Sequence, residues 1–321
     1  GRMLAHQSYR RCFRVCVALA LTVCICCLPL VSAPAWAQSV GLKAGQTQAQ
    51  RHYENGDYRR AAEGFKRGAE TGLAESQHWL GLLYDRGHGV ERDPRAAYLW
   101  FSKAAEQGHA EAQRVIGVYL EMGKVVARDL ELAAKFYDRA ARQNNAKAMR
   151  NLAQLHISGR GVKRDFMAAR RLLQRAADMG NAKAMRNLGY LYYFGKGGAR
   201  DRAKAAALFA AAAAGLDKAK FNLGFVHYHG DGVAKDLAKA AYHFGQAAEA
   251  GNSDAQLLLS RMYLLGEGVV VDPAKAYFWA LLGAAQKPKL AAWHFDKLRG
   301  KLSLAEMDRI RAQTGAWNPK G

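Results

Sequence analysis

The sequence predicts an all-helical solenoid of stacked helix pairs, and three observations carry that prediction. First, one aspartate recurs in step: Asp93, Asp129, Asp165, Asp201, Asp236 and Asp272 are separated by 36, 36, 36, 35 and 36 residues. Second, a glycine precedes each of them at a fixed offset, in the series Gly87, Gly123, Gly159, Gly195, Gly230 and Gly266. Third, an alanine-rich stretch follows each, with Ala-Ala pairs at 104–105, 140–141, 176–177 and 247–248. Self-similarity at such a period marks a stacked-repeat architecture. Repeat arrays bury a continuous core between neighbours and expose long surfaces.

The elements follow in order. Residues 1–37 have the grammar of an export signal: Arg10, Arg11 and Arg14, an apolar run from Val15 to Val31, then Ala35-Trp36-Ala37. Cleavage is expected before Gln38, giving a periplasmic or secreted protein with no membrane span. An uncleaved inner-membrane anchor is the alternative, although the run is short for a span and holds Pro29. All five cysteines fall in this segment. The remainder can form no disulfide and use no thiol nucleophile, so it depends on its packed core. Residues 38–72 predict a capping helix pair around a tight Glu54-Asn55-Gly56-Asp57 turn.

Six repeats are expected over 73–287. In the first, Ala74, Ser76, Leu80, Leu83 and Tyr84 recur at helical spacing. Gly87 ends that helix by taking left-handed backbone without steric cost. Asp93 is the expected N-cap of the second helix, with Pro94 at its first position, and Asp272-Pro273 repeats the pairing. Trp100, Phe136, Leu172, Leu208, His243 and Trp279 hold one column of the second helices. The second repeat has Val125 where glycine is usual, and the fourth is one residue short near Ala210–Ala214. Residues 288–321 predict capping helices, with a capping box at Ser303-x-x-Glu306 and with Trp293 and Trp317 covering the last core face.

The repeated phrase resembles the Sel-like repeat (SLR) family, a relative of tetratricopeptide repeats. It stands here as Leu80-Gly81-x-x-Tyr84, Gly89-Val90-x-x-Asp93 and Lys103-Ala104-Ala105, and again as Leu188-Gly189 and Gly232-Val233-x-x-Asp236-x-x-Lys239-Ala240. The resemblance implies a right-handed α/α solenoid superhelix. It also implies a non-catalytic scaffold for protein–protein interaction in the bacterial envelope, as a regulator of signalling or a scaffold for polysaccharide secretion. Cysteine-rich relatives have been linked to β-lactams through a disulfide-bonded framework that this chain lacks. An envelope enzyme acting on peptidoglycan or β-lactams is therefore the lesser alternative. No nucleophile–base pattern supports it, and the Gly-x-Gly loops do not follow strands as a dinucleotide site needs. No cofactor is expected.

Net charge is +21. Export directs such a charge toward an acidic protein or peptide, anionic polysaccharide or lipid headgroups rather than nucleic acid. Its placement defines a candidate groove. Lys147, Lys183 and Lys218 hold the third position of consecutive first helices, counting the N-cap as one. Arg150 and Arg186 hold the sixth, and Asn151, Asn187 and Asn222 the seventh. Positions three, six, seven and ten share one helix face, and Tyr190 and Phe225 stand at the tenth. The other reading is a solvated basic surface with a scaffolding Asn column. A second ladder, Arg92, Arg128, Arg164, Arg200 and Lys235, is expected on a loop edge. His227 and His243 are expected to form a packed, hydrogen-bonded pair rather than a metal site, since no cysteine or clear carboxylate completes one.

Overall fold

A computed structural model of the chain describes residues 35–319. The export signal and its alternative lie outside the described residues, apart from the segment from Ala35 onward. Sixteen α-helices and no strand occur among the described residues. The opening pair is α1 (Ala35–Glu54) and α2 (Tyr58–Glu70). The first helices of the six repeats are α3 (Ala74–Arg86), α5 (Ala110–Met122), α7 (Ala146–Ser158), α9 (Ala182–Phe194), α11 (Asp217–His229) and α13 (Ser253–Leu265). They alternate with the second helices α4 (Pro94–Glu106), α6 (Leu130–Arg142), α8 (Phe166–Asp178), α10 (Arg202–Ala213), α12 (Leu237–Glu249) and α14 (Pro273–Gln286). The closing pair is α15 (Pro288–Leu298) and α16 (Leu304–Gly315). From α1 to α15 each helix packs on its sequence neighbours, the arrangement of an all-α solenoid, and α16 folds back on α14.

The recurring aspartates do what their position implies. Each accepts one or two backbone N–H groups from the first turn of the helix it opens, at 2.8–3.0 Å. That satisfies donors which have no partner inside the helix. The six loop glycines all end their helices in left-handed backbone, from φ 65° at Gly123 to φ 73° at Gly230. The loop-edge cations are exposed, and their stems lie over these glycines. Arg92 Nε donates to the Asp85 carbonyl at 3.0 Å and Arg164 Nη2 to the Ser158 carbonyl at 3.3 Å. A cation at a helix C-terminus meets the carbonyls left open there. Arg92 and Arg164 therefore help to close the helices that precede them.

The core is built from paired columns. Gly81, Gly117, Gly189 and Gly224 each lie against an aromatic ring of the following helix. A Cβ on them would sit 2.9, 2.5, 2.6 and 2.8 Å from Phe101, Tyr137, Phe209 and Phe244. The third repeat has Ala153 and Leu173 at these places, and the sixth has Ser260 and Ala280. A larger residue on one helix thus accompanies a smaller one on the other, as close packing requires. The fully buried column is Phe101, Tyr137, Leu173, Phe209, Phe244 and Ala280. The column from Trp100 to Trp279 stands one residue earlier and is only half-buried. The alanine pairs are buried as expected.

Two local features depart from the repeat. In five loops a second glycine, such as Gly89 or Gly161, lies so close to the backbone opening the previous second helix that a Cβ would overlap it. Val125 takes that place in the second repeat, and a cavity of about 520 Å³ opens with Pro94 and Val125 in its walls. At the C-terminal end, the Ser303–Glu306 capping box forms, with Ser303 N–H donating to Glu306 at 2.8 Å. Trp293 does not cover the last core face, being 41% exposed. Leu298 and Ile310 are buried there against Ala276 and Tyr277, with Phe295, Leu302 and Met307 beside them. The 3.6-residue period of α15 turns Leu298 inward and Trp293 out.

Candidate functional site

The site is a strip on the first helices of repeats three to five, and its chemistry is set by which charges find partners. Position three shows this best. In the first two repeats it is acidic, and each acid is tied to the N-cap residue of the next first helix. His109 Nε2 meets Glu75 at 2.9 Å, and Asn145 Nδ2 donates to Glu111 at 2.8 Å. In the sixth repeat Asp254 pairs with Lys287, the N-cap of α15. In repeats three, four and five the position is Lys147, Lys183 and Lys218, all exposed and none in a salt bridge among the described residues. The strip is therefore neutralised at both ends and cationic in the middle.

Position six repeats the contrast. Arg114 is held by Glu111 at 2.8 Å. Arg150, half-buried, donates from Nη2 to Asn151 Oδ1 at 2.7 Å, and its buried Nε–H has no partner. Burial, and then the charge of Arg114, lowers its pKa from the usual guanidinium value. Arg186 donates from Nε to Asn222 Oδ1 at 2.9 Å and from Nη2 to the Tyr190 hydroxyl at 3.1 Å. Asn222 Nδ2 donates to the same hydroxyl at 2.6 Å. That hydroxyl accepts twice, so its own proton is free to donate outward. The Arg186 guanidinium lies 5.0 Å from the Tyr190 ring centre, a cation–π distance. Among the described residues neither Arg150 nor Arg186 forms a salt bridge, and the Glu121 carboxylate acts on Arg150 only from beyond contact, opposing the lowering of its pKa.

The structure thus joins Arg186, Tyr190 and Asn222 into one network and links Arg150 to Asn151. Asn187 and Phe225 are half-buried on the same faces, and Asn222 is buried. Phe225 belongs to the aromatic lining of α11 and packs near His229, with ring centres 4.3 Å apart. His227 and His243 stack at 5.9 Å with their planes 15° apart. No hydrogen bond joins them and both Nδ1 atoms lack partners, which corrects the expected hydrogen-bonded pair to a stacked one.

Two features were not anticipated. Glu75, His78 and His109 bring ligand-type atoms within 4.8 Å of one another. The His109 Nδ1 atom, however, accepts the Ala112 N–H at 3.1 Å, so its proton is on Nε2 and points to Glu75. Asn145 makes the same two contacts one repeat later, where no imidazole is present. The cluster is the repeat's own capping bond with His78 stacked upon it at 4.6 Å. The second feature is an apolar cleft of about 500 Å³ between α11, α13 and α15. A signal for it exists in the columns, since positions six and seven change from Arg and Asn to Phe221, Leu257 and Leu258.

Comparison with known proteins accords with this geometry. The family described as Sel1 repeat matches residues 74–109, 110–145, 146–181, 182–215, 217–252 and 253–288. Among solved structures, the chain is similar to a protective antigen present in uropathogenic Escherichia coli strains, which displays an SLR fold. The identity is 29% and the TM-score 0.80, over 88% of this chain and 62% of the antigen. The chain thus spans less than two thirds of that antigen's length. A Sel1 repeat protein from Oxalobacter formigenes is 29% identical with a TM-score of 0.69, over 74% of this chain and 96% of its own. No curated protein sequence matches. With six matched repeats and the helix pairs they predict, the chain belongs to the Sel1 repeat family, whose members generally mediate protein–protein interaction.

Proposed function

We propose that the chain is a non-catalytic scaffold that binds an acidic segment of a partner protein along the first helices of repeats three to five. The observation that carries this reading is the pair Arg150 and Arg186: two half-buried guanidiniums, in register, with no carboxylate partner among the described residues. Such groups are partly desolvated and keep N–H donors for an incoming anion. The lysines at position three extend the positive field along the same strip, and aligned charges attract anions more strongly than scattered ones. Arg150→Glu with Arg186→Glu should weaken binding of a glutamate-rich peptide at least tenfold in protein that a thermal melt shows to remain folded at the assay temperature, the lost Arg186–Asn222–Tyr190 network lowering the melting temperature only modestly. Affinity should fall as salt rises. Equal reversal at Arg92 and Arg128 should matter less, because those side chains are exposed at the loop edge, over Gly87 and Gly123 and away from the strip. Stronger loss from the loop-edge pair would place the site elsewhere, and equal affinity for an anionic polysaccharide would remove the preference for protein.

The envelope is the proposed workplace, as a regulator of signalling or a scaffold for polysaccharide secretion. Its support is the charged, apolar, small-residue order of residues 10–37. No helix of the described residues is long and apolar enough to cross a membrane. Mass spectrometry of protein recovered from the periplasm should show an N-terminus at or near Gln38. Protein that retains Val15–Val31 would instead support an anchor.

A further inference from the structure

The cationic strip ends at a cleft of different chemistry. Phe221 and Phe225 of α11, Leu257 and Leu258 of α13, and Leu290 and Trp293 of α15 line it. Helix α15 takes the place of a seventh first helix. Its N-cap Lys287 pairs with Asp254 as His109 pairs with Glu75, and Trp293 falls in the column of Asn222 and Leu258. Leu290 is 60% exposed and Trp293 41% exposed, large apolar groups left in water on a wall that faces other apolar groups. The charged groups at the margin are already satisfied. Arg261 meets Glu267 at 3.6 Å, and Asp254 meets Lys287. The cleft thus has no call for a counterion of its own. Cations without a salt bridge stand beside it: Lys218, three residues before Phe221 on α11, and Arg186, whose bond to Asn222 brings the guanidinium against the same helix.

We infer that this cleft anchors a large apolar side chain of the same partner segment, which makes the ligand bipartite. A carboxylate sits over Arg186 and a Leu-, Phe- or Trp-type side chain enters the cleft. Packed helices stand about 8–10 Å apart, and an extended chain advances about 3.3 Å per residue. The two groups are therefore about two to three residues apart in the peptide. Charge complementarity selects this occupant over a second copy of the chain, because self-association would bring two strongly basic surfaces together. The inference rests on the acidic-partner reading above and adds the anchor, its spacing and its polarity.

A random peptide library displayed on phage, panned against the full chain, tests it. Enriched peptides are expected to hold Asp or Glu followed or preceded, at that spacing, by a large apolar residue. A synthetic copy of an enriched peptide should lose about tenfold or more in affinity on Trp293→Ala with Leu290→Ser, as aromatic anchors in desolvated pockets do. Both side chains are exposed, so the melting temperature should hold. Arg150→Glu with Arg186→Glu should weaken the same peptide and raise no apolar signal. Acidic enrichment without a spaced apolar residue overturns the anchor and leaves the acidic-partner reading intact. Apolar enrichment without acids, or no enrichment, overturns both. A concentration-dependent dimer in sedimentation that is lost on Trp293→Ala with Leu290→Ser assigns the cleft to a second copy and also overturns the inference.

Discussion

Gly189→Ala and Phe209→Leu should each destabilise the protein, and the two together should cost less than their sum. A Cβ on Gly189 would stand 2.6 Å from Cε1 of Phe209, which is 2% exposed and cannot swing into solvent. Overpacking a filled core costs about 1–3 kcal/mol, offset in part by about 1 kcal/mol that alanine gains over glycine in a helix. Phe209→Leu alone leaves a gap beside a glycine, a loss that rises with the cavity left behind. In the double variant the new methyl fills that gap, and the pair becomes the Ala153–Leu173 arrangement the protein already uses in its third repeat. Residues in contact couple by about 0.5–3 kcal/mol. Urea denaturation of the four proteins should give a coupling near the upper end of that range. Additive losses would show that the glycine column serves backbone freedom and not the facing ring.

Legibility of the structure followed the range over which each signal acts. Asp93 and its counterparts cap the helix they directly precede, so their chemistry is contained in a few adjacent residues. The same is true of Gly87 and of the box at Ser303. The Arg186–Asn222 bond joins residues one repeat apart: the sequence puts both on one helix face as separate ladders, because stacking converts sequence period into spatial register, but the bond between the ladders is seen only in the structure. What escaped notice depended on size or on broken period. The ring facing Gly81 is Phe101 and not its neighbour Trp100, a one-residue difference in helix phase that periodicity alone does not resolve. The change of position three from Glu to Lys and back to Asp acquires meaning only when the N-cap partners are seen to close on the acids. The apolar cleft needs α15, which lies beyond the last full repeat, so Trp293 is recognised as the next member of the Asn222–Leu258 column only once α15 is seen to take the place of a first helix.

Acid should loosen both ends of the solenoid before it reaches the usual range of carboxylate titration. Burial, the largest cause, lowers the His78 pKa from 6.5 to about 4, with Glu75 and Glu111 opposing and Arg114 assisting. Burial, and then Arg261, lowers His294 to about 4 as well; its Nδ1 lies 3.0 Å from the Ser260 hydroxyl, which itself donates to the Ala276 carbonyl. Between these values and 6.5 the unfolded chain binds protons that the folded chain does not. Stability therefore rises with pH through this window and is lost as pH falls through it, flattening below about 4. A full shift of this size corresponds to about 3 kcal/mol per group, and solvent screening reduces that to roughly 1–2 kcal/mol each. His78 lies in the first repeat and His294 in the closing cap, so the two losses should add. Thermal melts at pH 7 and pH 4.5 should show a clear drop in the native protein and a much smaller one in His78→Leu with His294→Leu. His243, also lowered by burial, acts in the same direction and accounts for a residual slope. Glu75 acts elsewhere: its pKa is lowered by the His109 hydrogen bond, so its contribution disappears only at still lower pH. An unchanged pH dependence in the double variant would mean that neither ring is held neutral by the fold, and that the stacked His78–His109 pair opens to water more readily than its 4.6 Å contact implies.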